Sequence, residues 1–445
     1  MNSSFYKKYF TLMIPMALKE LIAALVNLVD TIMVGKLGET QIAAAGLSNQ
    51  VYFLFTVFVF GMCGAAAVLA SQYWGKRDIK NVRRMLGLNL ILACFTAAVF
   101  ISAAFVIPNH ILGVFTEDTG VIMQGSSYLR IVCWSYIFTA VTMSFDMSLC
   151  CTENARLPFI SRFSGLFVNI FLNWVLIYGN LGAPALGIEG AAIATLIARV
   201  VECAVIISVV YIKKYVQAAK LRELLDIPRD LISRFIRSSL PVIANEVTWS
   251  LGMTVYTWIY SQMSTEAVVI ITIVQNIERL LLVFFHGGGN ACGVIIGNTV
   301  GAGKTEEAYS TAKRLCKISI LASSIITVVF LFLRPLMLMP YNISPEVYSQ
   351  TKSVLVVMSV LMNVKALTFI LIVGVFRNGG AAKTAMKIDV LSLWAVGIPL
   401  VFIAARLLKL PLLYAYIFMG SEEIVKLAIS LPYFKSKRWI KNLVS

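Results

Sequence analysis

Long apolar stretches separated by short polar or basic segments recur along the whole chain. They lie at about 10–34, 47–71, 86–107, 126–151, 158–179, 188–212, 235–261, 268–298, 314–334, 351–376, 386–407 and 410–432. A helix of about 20 apolar residues spans a hydrocarbon core of roughly 30 Å, so the pattern predicts about twelve transmembrane helices. Polar residues inside these stretches carry the remaining information. The first span, from Pro15 to Gly38, holds Glu20, Asn27, Asp30 and Thr31 at spacings that place them on one helical stripe. A carboxylate at mid-depth costs about 2.5–3.5 kcal/mol even on the lenient insertion scale, so Asp30 is expected to face a cavity or a partner. Pro15 removes one backbone hydrogen bond and is expected to bend the same helix.

Composition agrees with this pattern. Of 445 residues, 59% are hydrophobic and 13% charged, which excludes an ordinary soluble domain and predicts an all-α polytopic membrane protein. The net charge of +16 does not point to nucleic acid, because the basic residues gather in alternate loops. With the N-terminus inside, the outer loops hold only Lys36, Arg130, Arg334, Lys352, Arg406 and Lys409, while Arg162 and Arg377 fall with the inner basic set. That asymmetry predicts both termini in the cytoplasm. The first apolar run is too long for a cleavable signal peptide.

The eight cysteines show no metal spacing and read as buried thiols, and two histidines are too few for a His-rich centre. Gly301-Ala302-Gly303-Lys304-Thr305 ends like a phosphate-binding loop, but Asn298 stands where that motif needs glycine. Neither a nucleophile elbow nor an HExxH pair is present, so no enzyme chemistry and no resident cofactor are expected.

The chain also repeats itself. One constant offset, the step from Pro15 to Pro241, carries Glu20 onto Glu246, Gly61 onto Gly287, Gly75 onto Gly301 and Thr142 onto Thr368 without a gap. The halves read as diverged copies of a six-span unit. An even number of spans makes this a parallel repeat with its axis along the membrane normal, an arrangement whose transporters bind substrate at the repeat interface. The expected division is an N-terminal lobe over 1–212, a linker over 213–232 read as a solvated loop, and a C-terminal lobe over 233–445.

Asn169 and Asn173, four apart in span five, and Thr195 in span six can hydrogen-bond Asp30 or help coordinate a small cation. The repeat register matches Asp30 with Tyr256, so the two lobes have different chemistry. In the second lobe Glu246, Glu278, Arg279, Lys365, Glu422 or Glu423 and Lys426 are expected to form a buried mixed-charge network. Within it Glu246 and Lys365 are the leading candidates for a substrate site, with Tyr256 and Glu278 beside them.

Three stretches, Val29 to Leu47, Leu172 to Thr195 and Pro241 to Val247, resemble the multidrug and toxic compound extrusion (MATE) transporters, and the resemblance covers essentially the whole chain. It implies twelve helices in two pseudo-twofold-related six-helix lobes around a central cavity. It further implies a monomer in the bacterial cytoplasmic membrane, in contact with lipid, that exports small amphipathic, cationic or zwitterionic compounds in exchange for H⁺ or Na⁺. Asp30, Asn169, Asn173 and Thr195 match the family's N-lobe coupling site, with Na⁺ placed at Asp30, Asn169 and Asn173. Some members carry Asp where Asn173 stands. Glu246 matches the seventh-helix acid of NorM-type members, whose accompanying tenth-helix acid is missing here, and Lys365 brings the opposite charge. The alternative is a lipid-linked oligosaccharide flippase of the same superfamily, which generally carries extra spans.

Overall fold

The computed structural model describes residues 2–341 and 343–444, with side chains from Phe5 onward. Among the described residues the chain forms helices and no strand. In chain order the long helices are α1 (Asn2–Gly35), α2 (Glu39–Gly75), α3 (Ile79–Val106), α4 (Thr119–Val132 and Ser135–Cys151), α5 (Arg156–Tyr178) and α6 (Gly187–Ile212). They continue with α7 (Arg229–Ser261), α8 (Thr265–Gly301), α9 (Thr305–Leu338), α10 (Pro345–Phe369, extended by wider turns over Ile370–Ala381), α11 (382–407, in four pieces) and α12 (Leu412–Lys435).

Among the described residues eight helical stretches are long and apolar enough to cross a membrane, nine if the two legs of α4, bent by 49°, count as one span. One of these stretches, Pro345–Leu407, contains both α10 and α11. The remaining two helices, α7 and α12, fall outside this set. Large apolar side chains such as Phe332, Phe95 and Leu321 are 80%, 69% and 65% exposed, a surface that suits lipid and not water.

The repeat is written into the helix boundaries. The offset that carries Pro15 onto Pro241 also carries the starts of α2, α3, α4 and α5 (Glu39, Ile79, Thr119, Arg156) onto those of α8, α9, α10 and α11 (Thr265, Thr305, Pro345, Ala382). It carries the helix end Gly75 onto the helix end Gly301 as well. The start signals are also paired. Asp118 caps α4 by accepting from the Gly120 amide at 2.8 Å, and its repeat partner Ser344 caps α10 by accepting from Val347 at 3.3 Å.

The chain divides into two compact units. One comprises 18–74 and 78–239; the other comprises 1–17, 75–77 and 240–445. The breaks therefore lie inside α1 and α7, next to Pro15 and Pro241, and not in the linker. Both helices run unbroken through their prolines. In the first unit α5 and α6 are the most extensively packed pair. Ile22 and Val26 of α1 pack against Leu166, with Phe159 and Ile170 beside them, all on α5. The next position on that α1 stripe is Asp30.

The linker differs from the solvated loop expected of it. Gln217 is buried and donates to the Ser148 carbonyl and to Thr152 Oγ1, each at 2.9 Å. The short helix Leu221–Leu225 lies on α3 at Gly87, where a Cβ atom would come within 1.9 Å of the Leu224 carbonyl oxygen. Arg83 bonds both Glu223 oxygens at 3.2 Å, and Arg84 bonds Asp226 and holds its carboxyl below the usual carboxylate range. A basic segment is legible as a loop; its few apolar and acidic residues dock it. Gly87→Leu is expected to destabilise this docking by about 1–3 kcal/mol, the usual cost of overpacking. Tryptic cleavage after Lys220 and Arg222 should quicken in proportion, and an unchanged rate would show that the linker helix is not held at Gly87.

Candidate functional site

The α1–α5 packing brings the half-buried Asp30 against buried Asn169 and Asn173. Asn173 Nδ2 donates to Asp30 Oδ1 at 2.5 Å and to Asn169 Oδ1 at 3.3 Å, and Asn169 Nδ2 donates to Thr195 Oγ1 at 3.4 Å. One chain of polar contacts thus joins α1, α5 and α6. Tyr178 anchors the end of α1 by donating to the Met33 carbonyl at 2.8 Å. All four residues expected at this site are brought together. Asn27 and Thr31 are exposed, so the polar stripe expected on α1 splits and Asp30 turns to α5 with the apolar Ile22 and Val26.

One atom of this cluster is incompletely used. Asn173 Oδ1 is buried without a hydrogen-bond partner. An ionised carboxylate only accepts hydrogen bonds, whereas a protonated one also donates. Asn173 therefore offers what either form of Asp30 requires: an N–H for the carboxylate, and a spare carbonyl for the acid. Turning the amide to use that carbonyl would also release the link to Asn169.

In the second unit three charge groupings contain the expected residues. Glu246 pairs with Arg377 at 3.0 Å, and Glu278 pairs with Lys365 at 2.5 Å. Lys426 meets Asp389, Glu422 and Glu423 at 2.7, 3.1 and 3.3 Å. Each of those three carboxylates receives a second, neutral donor: Asn245 to Asp389, Tyr256 to Glu422 and Thr368 to Glu423. This junction ties α7, α10, α11 and α12 together. Tyr256 is 1% exposed and committed to Glu422.

The expected network changes in membership. Arg279 is exposed and leaves it, because its neighbour Glu278 takes the inward direction of α8. Arg377 and Asp389 join it. Arg377 reads as a loop residue in the sequence, but α10 extends through it and buries it at 7% exposure. Arg162 is corrected in the same way, because it lies inside α5 and pairs with Glu202 at 3.2 Å. Lys19, paired with Asp146 at 3.5 Å, and the Arg199–Glu202 pair on α6 escape the sequence reading altogether. Their signal is present, since charged residues in an apolar span are expected to have partners. His286 stacks on Phe369, and all eight cysteines are free. Among the described residues no three His, Cys, Asp or Glu side chains gather in a metal-holding group.

The MatE family pattern matches residues 15–175 and again 241–403, two matches whose starts are the repeat-related prolines. A probable multidrug resistance protein NorM of Thermotoga maritima is 24% identical over 441 residues, covering 98% of this chain and 94% of its own. The uncharacterized transporter YisQ of Bacillus subtilis is 22% identical, with 93% and 90% covered. Among solved structures, the Vibrio cholerae MATE transporter VcmN in its bent form superposes with a TM-score of 0.88 at 20% identity, covering 99% of each chain. A MOP superfamily transporter from Pyrococcus furiosus gives 0.86 at 19% identity, with 99% and 96% covered.

Lys426→Met should leave three carboxylates buried without their cation, at a cost of about 3–5 kcal/mol. Its unfolding midpoint in detergent is expected to fall well below that of Glu246→Gln, whose carboxylate is 22% exposed. Equal midpoints would show that the junction does not depend on the ammonium.

Proposed function

Since the chain belongs to the MatE family, we propose that it is a secondary active antiporter that exports small amphipathic compounds, cationic or zwitterionic, in exchange for H⁺ or Na⁺. The chain is a multi-pass bacterial membrane protein. The reading places it in the cytoplasmic membrane as a monomer with both termini inside. It assigns the coupling site to Asp30, Asn169, Asn173 and Thr195. It assigns Glu246 and Lys365, the most exposed members of the C-terminal groupings at 22% and 26% side-chain exposure, to the substrate site.

The observation that carries this reading is the Asp30–Asn173 bond with its spare amide carbonyl. Uptake of a proton by Asp30 turns its carboxyl from acceptor to donor. The Asn173 amide must then reverse, and the contacts joining α1, α5 and α6 rearrange. A hard cation would instead draw on the oxygens of Asp30, Asn169 and Asn173. Either ion shifts the equilibrium between inward- and outward-open states only by its differential affinity for them. Release of the substrate outside and of the ion inside then follows from alternating access by the two repeated halves.

Asp30→Asn is expected to abolish efflux driven by an imposed H⁺ or Na⁺ gradient in proteoliposomes while leaving folded protein in the membrane. Efflux at the unaltered rate in that variant would refute the assignment.

A further inference from the structure

The proposed coupling site does not end at Thr195. One turn further along α6 stands Arg199, followed by Glu202, so Thr195, Arg199 and Glu202 share a helix face. Arg199 Nη1 donates to both Glu202 oxygens at 2.9 Å, and Arg162 Nη1 reaches Glu202 Oε2 at 3.2 Å from α5. Ser161 Oγ donates to the Glu202 carbonyl at 2.7 Å. The side chains of Arg199 and Glu202 are 10% and 2% exposed. Gly165 of α5 provides the room, since a Cβ atom there would lie 2.4 Å from the Glu202 carboxyl. Asn169 and Asn173 follow Gly165 at one and two further helical turns, so one buried polar seam runs between α5 and α6 from Arg162 to Asp30.

The seam has a fixed charge. Arg162, Glu202 and Arg199 sum to +1, and an ionised Asp30 brings the column to zero. Arg199 and Asp30 interact electrostatically, with Tyr52 of α2 also in the field of Arg199. Around them stand Tyr128 of α4 beside Thr195, the Lys19–Asp146 pair of α1 and α4, and half-buried Glu20 and Cys150 beside Lys19.

We propose that Arg199, held by Glu202, is the resident counter-cation of the Asp30 site and makes that site take protons in preference to sodium. A sodium ion is held at a carboxylate by Coulomb attraction and a few oxygen dipoles. Where a guanidinium already compensates the carboxylate, little attraction is left for it. A proton instead forms a covalent O–H bond, and its binding survives the same competition. The single carboxylate, with Asn173 as its nearest polar partner, offers sodium no second charge. Arg199 is thus a positioning residue that sets ion selectivity, and this role rests on Asp30 being the coupling site.

The test uses the full-length protein in proteoliposomes and purified in detergent. An imposed proton gradient should drive efflux by the unmodified protein, an imposed sodium gradient should not, and radiolabelled sodium should show no binding that depends on Asp30. In Arg199→Gln, sodium binding that depends on Asp30 should strengthen by at least about tenfold, the usual effect of one nearby charge on an ionic equilibrium. Arg199→Lys keeps the charge and should remain blind to sodium. Sodium-driven efflux in the unmodified protein that is lost in Asp30→Asn would overturn the proposal while leaving the antiport reading intact. So would an Arg199→Gln variant that binds sodium no better. Should Arg199→Gln fail to fold, the unmodified protein and Arg199→Lys still decide the matter. Full proton-driven efflux in Asp30→Asn would overturn both readings.

Discussion

A charge carried into hydrocarbon must be compensated from within the protein, because no water is available to do it. Much of this structure's interior follows from that constraint. The carboxylates of Asp146, Glu202, Glu246, Glu278, Asp389, Glu422 and Glu423 are each met by a lysine or arginine. Most of these pairs cross between helices: α1 to α4, α5 to α6, α7 to α10, α8 to α10 and α11 to α12. Between helices in lipid the hydrophobic effect provides little drive, so polar contacts of this kind select which faces meet. Against that background Asp30 is different. Its hydrogen bond comes from an amide, and the cation that acts on it, Arg199, is bonded to Glu202.

The two halves have kept a backbone and exchanged their side-chain chemistry. Helix starts, a helix end and a pair of caps recur in one register, yet in that register Asp30 is matched by Tyr256, Asn173 by Pro399 and Arg199 by Val425. Conversely, Glu422 and Lys426 stand where the first half has Leu196 and Val200. Tyr256 is locked to a carboxylate in the junction around Lys426, whereas Asp30 sits among amides able to turn. One shared frame thus carries a tightly pinned polar core in one half and a reorganisable one in the other.

The proposed coupling cluster is readable in the chain because its members obey short-range rules. Asn169 and Asn173 are one helical turn apart, and an acid in an apolar span demands a partner. Arg377 is misplaced by hydropathy because it marks only the apolar part of a span, while the helix α10 runs beyond it and carries this residue inward. Arg162 lies within its apolar stretch and is misplaced because a basic residue near the end of a span is counted with the loop beside it. The Arg199–Glu202 pair escapes for a different reason: a charge pair on one helix looks self-sufficient until the neighbouring helix is seen to supply Arg162 as a further partner. Lys19 escapes because its partner Asp146 lies on another helix far along the chain.

The apolar spans, the internal repeat and the acid in the first span can all be read from the order of residues, because each is a property of spacing along one chain. Which cation serves which carboxylate, the room that Gly165 makes for Glu202, and the docking of the linker on α3 emerge only in the folded chain. Those outcomes depend on how helix faces far apart in the chain meet, and the energy of a buried charge is set by the neighbour it meets there and not by its own position in the sequence.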